Sequence, residues 1–372
     1  MRQTNAAFVG RQAELQQLRA AFDNATGAQG SLVVLVGEPG IGKTALCEHF
    51  SEFVSVHGGR RLVGHCYEEG SFRPPYQPFV EVFATYLQDC DIQAVSAGLG
   101  SGMAELARML PTLRERLHIS PRPPGDPEED RWRLLQASTD LLHIAAAQQP
   151  LVVVLEDLHD ADRGTLDLLL YLARNLYAAR TLIVGTYRDV AVDRAHPLAA
   201  ALTELNRASN VARIQLRGLS TDEVQRLLAE DSQHTIPRPF AELVHRQTEG
   251  NPLFVRETLR FVIDAGLVER RDGALRRVGD QSLAGRIPEG LRDAVGKRLS
   301  RLSEGTNLVL SVASVIGREF HLGVLRQVLG CPEEALEAAL EEASAAGIIE
   351  EYSVVGTNHV SLLPRVLSAD VV

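Results

Sequence analysis

The first 216 residues alternate between two patterns of apolar and polar positions. Short continuous apolar runs predict strands buried on both faces of a sheet, and they occur at Ser31–Val36, Leu151–Leu155 and Thr181–Thr186. Segments with apolar residues at helical spacing, such as Thr165–Leu176, lie between the runs. Strands that alternate with helices predict an α/β fold, with a parallel sheet wound by right-handed crossovers.

Weaker patterns complete this region. Phe8–Phe22 predicts a short lead-in followed by an amphipathic helix, and Arg61–Cys66 predicts a further strand. Another helix is predicted from about Pro127 to Ala147. Residues 95–130 are less regular, and their prolines predict a loop, at Pro121, Pro123, Pro124 and Pro127. We expect the α/β domain to span residues 1–216.

The pattern changes to helices after residue 216. Ser220 and Glu223 fit a capping box, and Pro252 is expected in the first turn of another helix. Several helices are predicted after about Ile287, followed by β-prone pieces at Gly347–Tyr352 and Val354–Leu362. Helices followed by a small β-ribbon indicate a winged-helix unit. We therefore expect a helical domain over residues 217–285 and a winged-helix-like domain over residues 286–372.

A phosphate-binding motif follows the first buried strand. The sequence Gly37-x-x-x-x-Gly42-Lys43-Thr44 is a full P-loop pattern, with a strand before it and an amphipathic helix after it. Glycines let backbone N–H groups turn toward phosphate oxygens, and the helix N-terminus adds free N–H groups. Lys43 is expected to reach the β and γ phosphates, and the Thr44 hydroxyl to ligate Mg²⁺. The predicted phosphate-binding set is Gly37, Gly40, Ile41, Gly42, Lys43 and Thr44.

Two carboxylates end the strand in LVVVLEDLHDAD. Such a strand is the expected acidic partner of a P-loop, because parallel strand ends meet at one edge of the sheet. We predict that Glu156 holds Mg²⁺ through water and that Asp157 orients or deprotonates the attacking water. The interval of about 115 residues leaves room for at least one more strand, as in AAA+-like ATPases. We interpret the nearby His159 as structural.

A third strand end, in LIVGTYRDV, offers a sensor for the γ-phosphate. Thr186 or Arg188 could fill this role, since an arginine there can donate a charge-assisted hydrogen bond. The alternative is that Arg188 is a surface residue paired with Asp189. The predicted catalytic set is Lys43, Glu156, Asp157 and Arg188.

Composition narrows the function classes. The net charge of −10 gives no general attraction to nucleic acid or to an anionic membrane. Lys43 and Lys297 are the only lysines. No apolar run has the length of a signal peptide core or a membrane helix, and the four cysteines are scattered. These features predict a cytoplasmic protein without a disulfide framework or zinc site.

Six segments occur in order and together resemble one family: FVGRQAELQQL, GEPGIGKTAL, LVVVLEDLHDAD, GTYRD, GNPLFVRETL and IPEGLRDAVGKRLSRLS. Over about residues 8–352 they are similar to the module of signal-transduction ATPases (STAND), an AAA+-related class. Large ATP-binding regulators of the LuxR family carry such a module. The resemblance implies an AAA+-like core followed by a helical lid and a winged-helix-like domain, with ATP or ADP and Mg²⁺ as ligands.

The resemblance also implies roles outside the P-loop. Val9, Gly10 and Arg11 match an N-terminal nucleotide-contact motif, and Arg188 matches the sensor. The motif that brings the lid to the nucleotide is matched by Gly250, Asn251 and Pro252. Asp160 stands where the family usually has tryptophan, and the last residues, NHVSLLPRVLSADVV, do not match its usual His-containing helix. We expect a fragment, a truncated product or a stand-alone module.

Three functions remain open from the sequence. The first is a switch in which ADP/ATP exchange and slow hydrolysis control conformation, with a homo-oligomer in the ATP state or a regulatory protein partner. The second is a DNA-engaging AAA+ ATPase. Residues 286–372 hold twelve acidic residues against eight lysines and arginines, so no direct DNA binding is expected. The third is a scaffold that binds nucleotide without turnover.

Overall fold

The structure is a computed structural model that divides into two compact units. The sheet unit comprises Arg11–Glu38 and Lys43–Leu216, and the helical unit comprises Met1–Gly10, Pro39–Gly42 and Arg217–Val372. The residues that the structure describes are 8–67, 75–117, 119, 125–188, 192, 196–264, 268–271, 274–277, 299, 302–316, 319–345, 348–354 and 357–362.

Five parallel strands form the described sheet of the sheet unit, in the order β2-β3-β4-β1-β5. Their bounds are β1 Ser31–Val36, β2 Arg60–His65, β3 Leu151–Glu156, β4 Thr181–Tyr187 and β5 Val211–Gln215. The predicted α/β class and parallel sheet are confirmed. β5 was not predicted, because only Ile214 of its five residues is buried and its pattern is therefore weak.

The central strands are apolar because both of their faces are covered. Every residue of β3 and β4 is buried, as are the last five residues of β1. β4 lies between β1 and β3, so it is the strand inserted between the P-loop strand and the acidic strand. The strand in the sequence interval between those two elements is β2, which lies at the outer side of β3.

Helices surround this sheet, and their bounds in the described residues are α1 Gln12–Thr26, α2 Lys43–Val56, α3 Gln77–Asp89, α4 Ile92–Leu99, α5 Gly102–Met109, α6 Pro111–Leu117, α7 Pro127–Gln148, α8 Arg163–Asn175 and α9 Pro197–Leu205. Three short helices, α4 to α6, occupy much of the segment whose pattern is irregular. Pro127 begins α7 behind the N-cap Asp126, whereas the loop predicted at the other three prolines lies outside the described residues.

The helical unit begins its main segment with α10 Thr221–Ser232, α11 Arg238–Thr248 and α12 Pro252–Asp264. The predicted capping box is present, since the Ser220 and Glu223 side chains each bond the other's backbone N–H. Pro252 is the first residue of α12, as predicted. A short hairpin follows, formed by β6 Val268–Arg271 and β7 Ala274–Arg277.

The last described segment of the helical unit has helices before and between short strands: α13 Glu304–Ile316, β8 Glu319–His321, α14 Leu322–Leu329, α15 Glu333–Ala345, β9 Ile349–Val354 and β10 Thr357–Leu362. The antiparallel sheet has the order β8-β10-β9, and both predicted β-prone pieces are strands. The winged-helix assignment stays a prediction. Its predicted start near residue 286 lies outside the described residues.

Candidate functional site

Lys43 is the first residue of α2 in the sheet unit. Its side chain is buried, and Nζ donates to Gly37 O at 2.9 Å and to Glu38 O at 3.0 Å. These carbonyls hold the ammonium against the first residues of the P-loop. A buried ammonium at a helix N-terminus is suited to an anionic ligand, because the free N–H groups of the helix add positive potential.

Thr44 and Glu156 form the second part of the site. Glu156 is the last residue of β3 and is only 4% exposed, and its Oε2 accepts a hydrogen bond from Thr44 Oγ1 at 2.9 Å. The P-loop hydroxyl and the acidic strand end are therefore in direct contact. Hydroxyl and carboxylate oxygens are ligands that Mg²⁺ prefers. No group of three or more His, Cys, Asp or Glu side chains suited to a metal occurs among the described residues.

Asp157 has an unusual backbone for a residue with a side chain. Its φ of 56° lies in the left-handed region, and its N–H donates to Thr186 Oγ1 at 3.0 Å. Its carboxylate Oδ1 lies 3.8 Å from Arg188 Nε. Such a conformation is often found at functional sites, where the surrounding structure holds it in place. Thr186 thus positions the backbone of Asp157, and Arg188 faces its carboxylate.

Arg188 has a carboxylate neighbour across the sheet edge, on the residue that follows β3. The alternative partner considered from the sequence, Asp189, lies outside the described residues. The start of α2 and the ends of β3 and β4 bring together the predicted catalytic set, namely Lys43, Glu156, Asp157 and Arg188, with Thr44 and Thr186. Their roles remain predictions.

His159 is the residue near this edge whose position the sequence did not reveal. Its side chain is buried, with Nδ1 3.9 Å from Asp157 Oδ1 and Nε2 3.5 Å from Asp160 Oδ2. Burial, together with the positive charges of Arg188 and Lys43, lowers the pKa of His159 to about 4 against the opposing effect of Asp157. The feature of the sequence that could have indicated this position is that His159 follows the acidic pair by two residues.

The middle of the P-loop, residues 39–42, belongs to the helical unit. Gly40 and Gly42 have φ values of 75° and 99°, which favour glycine. Asn251 Nδ2 donates to Pro39 O at 3.0 Å, and Leu253 N donates to Gly40 O at 3.3 Å. Ile41 is buried. Asn251, which precedes Pro252 in the predicted lid motif, thus contacts the P-loop at Pro39.

The predicted N-terminal nucleotide-contact residues have different surroundings. Val9 packs into the apolar core of α10 to α12, and Gly10 has a φ of 78° with Glu223 so close that a Cβ would lie 2.3 Å from Oε1. Arg11 belongs to the sheet unit, is buried, and lies 3.3 Å from Glu14 Oε1. Their contact with a nucleotide remains a prediction.

The residues present fit a nucleoside phosphate with Mg²⁺. Lys43 supplies a buried cation, and the contact between Thr44 and Glu156 supplies two oxygen ligands. A Mg²⁺ held by one or two protein oxygens together with phosphate oxygens and waters is usual for such sites.

Sequence similarity agrees with this arrangement. Residues 7–184 match the family described as the AAA ATPase domain. This part of the chain is similar to AAA ATPase domains. An uncharacterized protein of Rhizobium meliloti (strain 1021) is 24% identical over 374 residues, which cover 94% of this chain. The chain spans 33% of the length of that relative.

Of two solved structures that are similar to this chain, only the first has a TM-score above 0.5. A STAND protein with a tetratricopeptide repeat sensor from Pyrococcus horikoshii has a TM-score of 0.52 at 16% identity, over 95% of this chain and 41% of that chain. The ORC1 protein of Aeropyrum pernix in complex with DNA has a TM-score of 0.40 at 16% identity, over 96% of this chain and 90% of that chain. The predicted AAA+-related P-loop fold is confirmed.

No helix among the described residues is both long enough and apolar enough to cross a membrane.

Proposed function

We propose that this AAA ATPase domain and the helical unit form a switch that ADP/ATP exchange and slow hydrolysis operate. The observation that carries the proposal is the contact of Asp157 with Arg188. The predicted catalytic carboxylate and the predicted sensor face each other, with Oδ1 and Nε 3.8 Å apart. Asp157 and Arg188 form an ion pair, which must separate before the two groups act on water and on phosphate. Such a rearrangement favours slow turnover over rapid, continuous hydrolysis.

Adenine nucleotide and Mg²⁺ are the proposed ligands. Lys43 and the P-loop N–H groups would hold the phosphates, and Thr44 and Glu156 would hold the metal. Bound Mg²⁺ would neutralise charge that develops on the phosphates during transfer. Asp157 would then orient the attacking water and accept its proton, while Arg188 would donate to the γ-phosphate.

Nucleotide can operate a switch only if it binds the two states with different affinity. Residues 39–42 are anchored to Asn251 and Leu253 in the helical unit, so phosphate binding and the packing of α12 involve the same loop. This contact supports a response of the lid to the bound nucleotide. In the ATP state we propose a homo-oligomer or a complex with a regulatory protein. The motif resemblance supports a place in a bacterial transcriptional regulator.

The rates of two steps test the proposal. Release of a fluorescent ADP analogue would be followed after addition of excess ATP, and hydrolysis would be followed in a single turnover of radiolabelled ATP. A switch predicts that ADP release limits the cycle and that hydrolysis itself is slow. Lys43→Ala should abolish binding of the analogue. Rapid ADP release with many ATP turnovers per second would contradict the proposal and indicate a working ATPase.

A further inference from the structure

His159 is buried between two carboxylates, and the proposed mechanism gives it no role. Nδ1 faces Asp157 Oδ1 and Nε2 faces Asp160 Oδ2, at 3.9 and 3.5 Å. Within the described part of the chain, neither ring nitrogen has a hydrogen-bond partner. A buried polar group without a partner costs free energy, and in native proteins such groups have a reason to be there. An apolar side chain would fill the same space at lower cost.

The oxygen that His159 faces is the same one that Arg188 faces. Asp157 Oδ1 lies 3.8 Å from Arg188 Nε and 3.9 Å from His159 Nδ1. Both distances exceed that of a hydrogen bond, so a small rotation of the carboxylate would bring it to either neighbour. When Arg188 turns to a phosphate, His159 remains beside this oxygen.

We propose that His159 is a positioning residue for hydrolysis: its Nδ1–H holds the Asp157 carboxylate in the orientation that activates water once Arg188 engages the γ-phosphate. This role rests on the proposed function. Asp157 would keep one oxygen on His159 and present the other to the water. The fixed backbone of Asp157, whose N–H bonds Thr186 Oγ1, leaves the side-chain torsions as the freedom that His159 would restrict.

The protonation state of the ring supports a hydrogen-bonding role. Burial and the cations Arg188 and Lys43 lower the pKa of His159, so the imidazole is neutral near pH 7. A neutral imidazole has one N–H and can donate to only one of its two carboxylate neighbours. In the Nδ1–H form the Nε2 lone pair faces the Asp160 carboxylate, and the two repel each other. The Asp160 side chain is 21% exposed, so water screens this repulsion.

Two amide variants of His159 distinguish the contribution of Nδ1 from that of Nε2. The amide nitrogen of asparagine takes about the place of Nδ1, whereas that of glutamine reaches about the place of Nε2. We expect His159→Ala and His159→Gln to lower kcat by about 10- to 100-fold, because a misplaced catalytic group costs that much. His159→Asn should stay within about threefold of the wild-type kcat, and KM and ADP affinity should hardly change in any variant.

Controls keep the test independent of folding. Exposed His143 on α7 provides a matched variant, and His143→Ala should leave kcat unchanged. Melting temperature and ADP affinity show whether each variant is folded. If His159→Ala does not fold, the asparagine and glutamine pair still decides the question.

Equal kcat values for wild type and His159→Ala would overturn the positioning role while leaving the proposed function intact. Rescue by glutamine but not by asparagine would also overturn it, because the important contact would then be with Asp160. Absence of ATP turnover in the wild type would overturn the proposed function and the role of His159 with it.

Discussion

Thr44 Oγ1 donates a hydrogen bond to Glu156 Oε2 at 2.9 Å, and this bond links the P-loop to the acidic strand. Thr44 and Glu156 could be predicted from the sequence, because an apolar strand that ends in two carboxylates is the expected acidic partner of a P-loop. The direct contact could not be predicted, since it depends on the register of β1, β4 and β3 across the sheet.

Glu156→Gln tests the metal role of this contact. The amide oxygen can still accept the bond from Thr44, but the negative charge is lost. We expect ADP affinity without Mg²⁺ to stay within about threefold, while the gain in affinity that Mg²⁺ gives falls and turnover drops by at least about tenfold. Calorimetry with and without Mg²⁺ measures both affinities. An unchanged Mg²⁺ dependence would assign the metal to other residues.

The lowered pKa of His159 predicts how the stability of the protein changes at acidic pH. This pKa is lowered from 6.5 to about 4 in the folded state. As pH falls from 6.5 to 4, the unfolded chain binds a proton here that the folded chain does not. The free energy of unfolding should therefore fall in this window, by up to about 3 kcal/mol, and show no effect of this group above pH 7.

His159→Asn removes this titration. We expect the difference in stability between pH 7.5 and pH 4.5 to be smaller in the variant than in the wild type, as measured by urea unfolding at both values. An identical loss in the two proteins would show that His159 takes up no proton on unfolding in that range.

At the scale of elements, the apolar pattern predicted the strands that are buried on both faces, and it missed one strand with a single buried residue and three short helices. β3 and β4 are fully buried, so their apolar runs identified them. β5 has one buried residue, and the helices α4 to α6 are seven or eight residues long, too short for a clear helical period. A single 3-10 turn, Leu158–Asp160, places His159 between two carboxylates, and it is too short to give a periodic signal.

The loop between β1 and α2 offers a matched pair of glycine variants. Gly40 and Gly42 both have positive φ, but a Cβ on Gly40 would lie 2.6 Å from Leu253 Cβ, whereas one on Gly42 would meet nothing within 4 Å. Both alanine variants should weaken nucleotide binding, because the backbone is strained. Gly40→Ala should in addition lower the melting temperature more than Gly42→Ala does. Thermal unfolding without nucleotide measures this, and equal melting temperatures would contradict the packing argument.

At the scale of the whole molecule, charge and ligand binding bear on the function. The net charge of −10 gives no field that would attract nucleic acid. A nucleotide that binds only the folded state stabilises it by mass action, by about 2.7 kcal/mol at a concentration one hundred times Kd. A switch that rests with bound ADP would therefore be purified with that ligand in place. The sequence predicted the ligand class through the P-loop, but the order of the steps depends on rates that no sequence pattern encodes.

The most direct test of the switch is the nucleotide that the protein carries when it is purified. The protein would be prepared without added nucleotide and denatured, and the released small molecules would be identified by chromatography and mass spectrometry. The account predicts close to one ADP per chain, and none in Lys43→Ala. An empty site in the wild type, together with fast ATP turnover, would contradict the account and indicate an ATPase that works continuously on a substrate.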